Sequence, residues 1–348
     1  MIVVNKIREL NAIDNWVRHF TRAPHQWNVV HQSDAELVAL PGTDRLLAIT
    51  IDTVAEEIVT GLYREPFTMG WVAVMASLSD LAAVAADPLG LVVSVVLEPG
   101  RDDSFRTALA QGMAAACDAG GTFLLGGDTN TAISPSLTTC AIGIVSRRPV
   151  LNRVGCRPGD TVFLSGPAGA GSALALSRFL HSEGFPEGSY RPVARLNVRQ
   201  TIRRFATACM DTSDGLLPTL DQLMRLNGMG FRITQDVAHI LDRRALRLAV
   251  EADLPPWFML AGPHGEFELV LTVPQGLTEH FMAEARSAGW EPVMTGTVTE
   301  EIGVKMAIDG RQCAVDTAGV RNLFDEVSGD ISRYARGLAA MLVPEPEV

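Results

Sequence analysis

One aspartate sets the hardest condition on how this chain can fold. MGWVAVMASLSDLAAVAADP (Met69–Pro88) is helical in composition and carries Asp80 near its centre. Met75, Ala76, Leu78, Leu81 and Ala82 surround it in sequence, so no exposed face is left for it. A carboxylate among such neighbours is expensive unless a cation answers it. The helix must therefore pack in a way that gives Asp80 a cation.

Other acids also close apolar runs. They are Asp34 in HQSDAELV, Asp52 in AITIDTV, Asp128 in LLGGDTN, and Asp211 with Asp214 in CMDTSDGL. Taken singly, each is a cap or a surface charge. Converging on one point, the six would repel each other unless divalent cations lay between them. Oxygen donors without a Cys or His cluster suit Mg²⁺ rather than Zn²⁺, and the loop spacing of an EF-hand Ca²⁺ site is absent. Mg²⁺ held by carboxylates usually accompanies nucleotide phosphates.

FLLGGDTN (Phe123–Asn130) admits two readings. In one, a strand ends, Gly126 and Gly127 make a tight turn, and Asp128 caps the next segment. In the other, the glycines let the backbone approach a phosphate while Asp128 holds a metal. GPAGAGS (Gly166–Ser172) is a glycine-rich strand-to-helix turn without the lysine of a P-loop, and such a turn more often only permits close packing.

Charge limits the partners. The 29 basic and 40 acidic residues leave a net charge of −11, against non-specific nucleic-acid binding and against attraction to an anionic membrane. A chain this acidic needs metal ions to handle phosphorylated ligands. Five scattered cysteines with no CxxC pair argue against structural zinc and disulfides and for a reducing compartment. The N-terminus lacks the apolar core of a signal peptide. LGLVVSVVLEPG (Leu89–Gly100) is too short to span a bilayer and reads as a buried strand. The expectation is a cytoplasmic protein with no membrane and no nucleic-acid partner.

The 348 residues predict two domains, 1–150 and 151–345, both mixed α/β. Strands are expected at Arg45–Thr53, LGLVVSVVLEP, GTFLLGGDT and SLTTCAIGIV, with helices over Met69–Pro88 and Ser104–Gly121, the latter capped by Ser104 or Asp103. A Pro-, Gly- and Arg-rich boundary, RRPVLNRVGCRPGD (Arg147–Asp160), comes next. Beyond it lie a strand at TVFLSG, a helix in PAGAGSALALSRFL, a helix over Val193–Ala208, a strand at FELVLTV, a helix over Leu277–Ala288, and a frayed proline-acid end, PEPEV.

SDA, TIDT, SLSDLAA, LLGGDT, RVGCRPGD and DTSDGL, in this order and spacing, resemble the thiamine-monophosphate kinase family. That family belongs to the ATP-binding superfamily of aminoimidazole ribonucleotide (AIR) synthetase. The resemblance runs from about Asp34 to Thr272. It implies an N-terminal domain that pairs into a dimeric β-barrel, a C-terminal α/β domain, a homodimer, and ATP with Mg²⁺ as ligands. It gives metal roles to Asp34, Asp52, Asp80, Asp128, Asp211 and Asp214, with Asp128, Asp211 and Asp214 catalytic as well. Gly126, Gly127, Thr129, Arg153 and Ser213 fall at nucleotide contacts.

The chain also departs from the family. Gln32-Ser33 stand where the family has a glycine-aspartate pair, and VAEEIVTG, with Glu56 and Glu57, replaces a segment with a glycine and a substrate-side histidine. PHGEFEL (Pro263–Leu269) replaces GGEDYEL. The expected function is transfer of the ATP γ-phosphoryl to a small acceptor. The alternatives are ATP activation of a carbonyl or amide oxygen for ligation or ring closure, and nucleotide binding without turnover. Glu56, His264 and Glu266 are candidate substrate contacts, though His264 also reads as a turn residue with its side chain in water. Trp257 and Phe258 either stack on an aromatic substrate or pack internally.

Overall fold

The computed structural model describes residues 7–180, 184–308, 310–327 and 330–344; of the PEPEV end, all but Pro344 lies outside them. The first half contains α1 (Arg8–Val17), β1 (Glu36–Ala39), β2 (Arg45–Thr53), α2 (Ala55–Val59), α3 (Pro66–Ala83), β3 (Asp87–Leu97), α4 (Asp103–Gly120), β4 (Leu124–Thr131) and β5 (Ser136–Ser146). Its strands form one sheet in the order β1-β2-β5-β3-β4. The second half contains β6 (Thr161–Leu164), α5 (Ala170–Phe179), α6 (Arg199–Phe205), β7 (Ala208–Asp211), α7 (Leu216–Asn227), β8 (Gly230–Ile233), α8 (Val237–Ile240), α9 (Arg243–Glu251), β9 (Leu269–Val273), α10 (Thr278–Ser287), β10 (Val293–Thr299), β11 (Val304–Ile308), β12 (Arg311–Val315), α11 (Thr317–Val327), α12 (Ile331–Ala339) and β13 (Leu342–Pro344). Here the sheet order is β13-β12-β11-β8-β10-β6-β9-β7. The mixed α/β expectation holds, and β5 and β6 flank the Pro-, Gly- and Arg-rich segment.

α3 lies between the halves. On one side Thr139 of β5 donates to the Ala73 carbonyl at 2.5 Å and pairs with Ser77. On the other, the Ser79 hydroxyl donates to the Phe267 carbonyl at 3.3 Å. Fourteen of its eighteen residues are buried, so it is apolar nearly all round, as a helix enclosed by protein must be. α4 packs along it through two glycines. A Cβ on Gly70 would strike the Leu109 carbonyl oxygen, and one on Gly112 would strike that of Phe67.

Several local expectations are corrected. The α4 cap is Asp102, which accepts from the Phe105 amide at 2.8 Å. The helix expected over Val193–Ala208 shrinks to α6 behind a short 3₁₀ turn, because Ala208–Asp211 is taken as strand β7. β3 is half-buried rather than buried: α3 and α4 cover one face of the sheet, and Val92 stays 38% exposed on the other. No turn forms in FLLGGDTN, since β4 runs through both glycines and neither takes a positive φ. Trp257 and Phe258 are both 3% exposed and pack internally. No helix among the described residues is long and apolar enough to cross a membrane.

Gly112→Ala should lower stability by about 1–3 kcal/mol, because a backbone carbonyl cannot yield as a side chain can, and this outweighs the roughly 1 kcal/mol of helix propensity gained. Gly276→Ala, where a Cβ meets open space, should stay within about 0.5 kcal/mol. Denaturant melts of the two variants check the difference.

Candidate active site

Four separate segments deliver carboxylates to one place. Asp34 arrives on the loop before β1, Asp52 near the end of β2, Asp80 from α3, and Asp211 at the end of β7. Carboxylate oxygens of Asp34, Asp80 and Asp211 lie within 4.8 Å of one another. Asp52 stands beside Asp80. Among the described residues one cation reaches the group: Arg153, from the Pro-, Gly- and Arg-rich segment, donates from Nη2 to Asp34 Oδ1 at 3.0 Å. Its loop is fixed because Arg153 N donates to the Gln32 carbonyl and Asn227, at the end of α7, donates to the Arg153 carbonyl.

The electrostatic balance is unfavourable without a further cation. Burial pushes the Asp80 carboxyl well above its usual range, and Asp52, Asp211 and Asp34 push it further. Asp211 is raised by burial and then by Asp34. Burial raises Asp52 too. Burial works against the Arg153 charge, but Asp34, Asp80 and Asp211 more than restore it. Thr50 donates its hydroxyl to Asp80 Oδ2, while Asp34 Oδ2 and Asp52 Oδ2 are buried with no hydrogen-bond partner. Orphaned carboxylate oxygens beside a crowded all-oxygen donor set fit a hard divalent ion such as Mg²⁺.

A cavity of about 310 Å³ adjoins the cluster, lined in part by Asp52, Glu56, Glu57, Ser213, Asp214 and His264. Burial raises Asp214 to about 6 and Glu57 to about 7. His264 is 6% exposed, which corrects the reading of a side chain in water. Its Nε2 meets the hydroxyls of Tyr63 and, at 3.1 Å, Tyr190, while the Tyr190 hydroxyl donates to the Gly265 carbonyl at 2.7 Å. Burial lowers its pKa to about 4, so the ring is neutral. Tyr63, Tyr190 and Glu57 were not anticipated as site residues. VAEEIVTG held the signal for Glu57; the tyrosines carry no local one.

Five expected residues sit elsewhere. Glu266 does not line this cavity. It accepts from the Gly169 amide and the Thr212 hydroxyl, both at 2.8 Å, and so ties the Gly166–Ser172 turn to DTSD. That turn does serve close packing, since a Cβ on Gly171 would strike the Gly265 carbonyl. Asp128, Gly126, Gly127 and Thr129 form part of the exposed edge strand β4. Asp128 pairs with Ser94 in a row that runs through Thr138 to Thr53, so it stands three strands from β2, or about 14 Å. Its row faces away from α3, whereas Asp52 shares its row with Thr139, which bonds to α3. Asp128 meets Asn130 Nδ2 at 2.8 Å.

Asp80→Asn should make the metal-free protein melt higher, because it removes one of the mutually repelling buried charges. It should also cut the stabilisation that Mg²⁺ with ATP confers to a small fraction of the unsubstituted shift. Thermal melts with EDTA and with Mg²⁺-ATP read both; an undiminished shift would remove Asp80 from the metal site.

Comparison with known proteins agrees with this geometry. The family model "AIR synthase related protein, N-terminal domain" matches residues 32–145, and "AIR synthase related protein, C-terminal domain" matches 157–309. A thiamine-monophosphate kinase of Halobacterium salinarum is 32% identical over 289 residues, covering 80% of this chain and 94% of the relative. That of Salmonella typhimurium is 30% identical over 262 residues, 70% and 75% of the two chains. The solved structure of AaThiL complexed with AMPPCP and TMP superposes with a TM-score of 0.72 over 89% of this chain and 96% of its own, at 22% identity, and so shares the fold. The chain belongs to the thiamine-monophosphate kinase family of AIR synthase related proteins and is an ATP-dependent kinase.

Proposed function

We propose that the chain binds ATP with Mg²⁺ at the Asp34–Asp52–Asp80–Asp211 cluster and transfers the γ-phosphoryl to a small molecule held in the adjoining cavity. The supporting observation is the convergence of three buried carboxylates from three segments, next to a cavity lined by Asp214 and Ser213. Relatives named for thiamine monophosphate supply the precedent for the acceptor, while Glu56 and Glu57 mark where this chain differs from the family pattern.

Asp34, Asp52, Asp80, Asp211 and Asp214 would hold Mg²⁺, which when bound neutralises the triphosphate and the charge developing on the transferred group. The chain's own residues do the rest. Arg153 holds Asp34 in place. Phe267 and Phe324 wall the cavity and exclude water. In the transfer, the bond from the γ-phosphorus to the β–γ bridging oxygen breaks and ADP keeps that oxygen. The acceptor oxygen bonds to phosphorus, and a hydroxyl acceptor gives its proton to a cavity-lining carboxylate that holds no Mg²⁺, Glu56 or Glu57. Catalysis is mostly positioning, so no covalent nucleophile is needed. We place Asp128 and Thr129, with the backbone at Gly126 and Gly127, at a separate metal and phosphate contact on the open edge of β4.

Calorimetry with ATP should show strong binding in Mg²⁺ and little in EDTA, and a screen of thiamine phosphate and other small metabolites should yield ADP rather than AMP. Asp128→Asn should melt normally without ligand and lose most turnover. Equal ATP affinity in EDTA and Mg²⁺, or AMP as the product, would overturn the reading.

We further propose a homodimer through the open face of the first sheet. Ile51 is 69% exposed and Val92 38%, in one row on the face opposite α3, and Phe123, Leu124 and Leu125 are exposed at the β4 edge; among the described residues nothing covers that face. Sedimentation should give twice the 37.4 kDa chain mass at micromolar concentration; a monomer there would reject the dimer.

A further inference from the structure

Two cavities flank PHGEFEL and share no lining residue. Phe267 lines the one beside the carboxylate cluster, while Glu266 and Glu268, its neighbours in sequence, line a second cavity of about 230 Å³. Three arginines line the second cavity too: Arg191 and Arg195 from the segment before α6, and Arg244 from the start of α9. Asp242 is its third acid.

Two of the arginines are answered in place. Arg195 donates from Nε to Glu268 Oε2 at 2.7 Å and from Nη2 to Oε1. Arg244 donates from Nε to Asp242 Oδ1 and from Nη2 to Oδ2, each at 3.1 Å. Glu266 accepts from the Gly169 amide and the Thr212 hydroxyl, and burial raises its pKa to about 8, so it carries little charge at neutral pH. Arg191 is left over. Its Nη1 donates to the Thr68 hydroxyl and the Tyr190 carbonyl, both at 2.8 Å, and its guanidinium carbon lies 5.0 Å from the Phe67 ring centre. Among the described residues no carboxylate pairs with it, and its Nε and Nη2 have no hydrogen-bond partner. Burial lowers its pKa and Glu65 and Glu187 only partly offset this, whereas Glu268 more than restores the charge of Arg195 against burial. A half-buried guanidinium without an anion is costly, and an anion entering the cavity relieves the cost.

The rest of the wall offers no competing role. The Ser189 and Tyr190 hydroxyls donate to the Pro186 and Gly265 carbonyls, both at 2.7 Å, and Pro167, Ala170, Pro192 and Val193 complete the lining. Ala170 opens α5, so that helix adds the positive end of its dipole to the same wall. The volume falls below the roughly 300 Å³ at which ligand pockets usually begin, which suits a small anion rather than a nucleotide. Nε and Nη2 form one edge of the guanidinium fork, and such an edge matches two oxygens of a phosphate group.

We propose that this second cavity is a metal-independent anion site for a small phosphate group, either inorganic phosphate or a short phosphate monoester, held by the Nε–Nη2 edge of Arg191 beside the Arg195 and Arg244 ion pairs. It goes beyond the kinase reading and does not rest on it, because no member of the carboxylate cluster lines the cavity.

The test is calorimetric titration of the full chain with inorganic phosphate in EDTA, where the carboxylate cluster has no Mg²⁺ with which to attract an anion. One site should appear, with a Kd of about 1 mM or below. Arg191→Gln should weaken it at least about 10-fold, and Arg191→Lys, which keeps the charge and loses the fork, by less. Val193 lines the cavity and is 38% exposed, so Val193→Asp places a like charge at the mouth and leaves the bonds of Arg191 intact. It should weaken phosphate at least about 10-fold with an unchanged melting temperature, and so decides the question if Arg191→Gln melts early. Methyl phosphate separates the two sources: binding within about 3-fold of phosphate supports a monoester, and its exclusion supports inorganic phosphate. AMP should bind at least about 10-fold more weakly than phosphate. No phosphate binding below about 10 mM would overturn the proposal. So would binding that survives both Arg191→Gln and Val193→Asp, AMP as tight as phosphate, or phosphate binding that appears only with Mg²⁺, which would place it at the carboxylate cluster.

Discussion

Repulsion among buried carboxylates is the constraint on which the molecule depends. Asp34, Asp80 and Asp211 hold oxygens within 4.8 Å of one another, with Asp52 beside them and one arginine to answer four acids. A chain free to relax would separate these groups. It does not, because each is fixed by something stronger: Asp80 by a helix enclosed between two sheets, Asp52 and Asp211 by strand pairing, and Asp34 by Arg153, whose loop is itself bonded at both sides. The protein tolerates this repulsion and keeps four acids in a fixed array, which under the proposed function is already shaped for cations. Such preorganisation is what electrostatic catalysis of phosphoryl transfer needs.

Two kinds of packing make that rigidity possible. Glycines let elements approach until backbone meets backbone, at Gly70 and Gly112 between α3 and α4 and at Gly171 against Gly265. Buried polar side chains then fix the remaining loops. Glu266 joins the Gly166–Ser172 turn to Thr212, and the pair Arg195–Glu268 lies behind it, with Ser165 also donating to Glu268. The conformation of DTSD is thus set by PHGEFEL, which lies antiparallel to it through β7 and β9. A substitution in PHGEFEL reaches the metal acids without touching a ligand.

The proposed acceptor side is built differently from the proposed metal side. Asp34, Asp80 and Asp211 are held by backbone elements and an arginine. The cavity beyond them is walled by side chains from α1, α2, α5, α11 and the loop around His264, which are far apart in sequence. His264 is buried through its contacts with Tyr63 and Tyr190, one from each half. Under the proposed function, the pocket can change with few substitutions while the carboxylate cluster keeps its chemistry, as Glu56 and Glu57 would illustrate.

Much of this was legible in the sequence because its causes are local. The apolar run around Asp80 required enclosure, which α3 provides; alternation placed β2 at Arg45–Thr53, and apolar length placed α3 and α4. The ordered acidic motifs identified the family. Other features depended on partners distant in the chain. Val193–Ala208 has the composition of a helix, yet pairing with β9 claims Ala208–Asp211 as strand. FLLGGDTN has the residues of a turn, yet pairing with β3 extends it as an edge strand and turns Asp128 away from the α3 side. His264 has no local reason to be buried; two tyrosines 201 and 74 residues away in sequence enclose it. The sequence by itself determined which residues would be costly to bury and therefore which chemistry the chain must accommodate. Only the tertiary structure decided which of those residues meet, because strand register and the approach of helices are fixed by contacts that no short stretch of sequence contains.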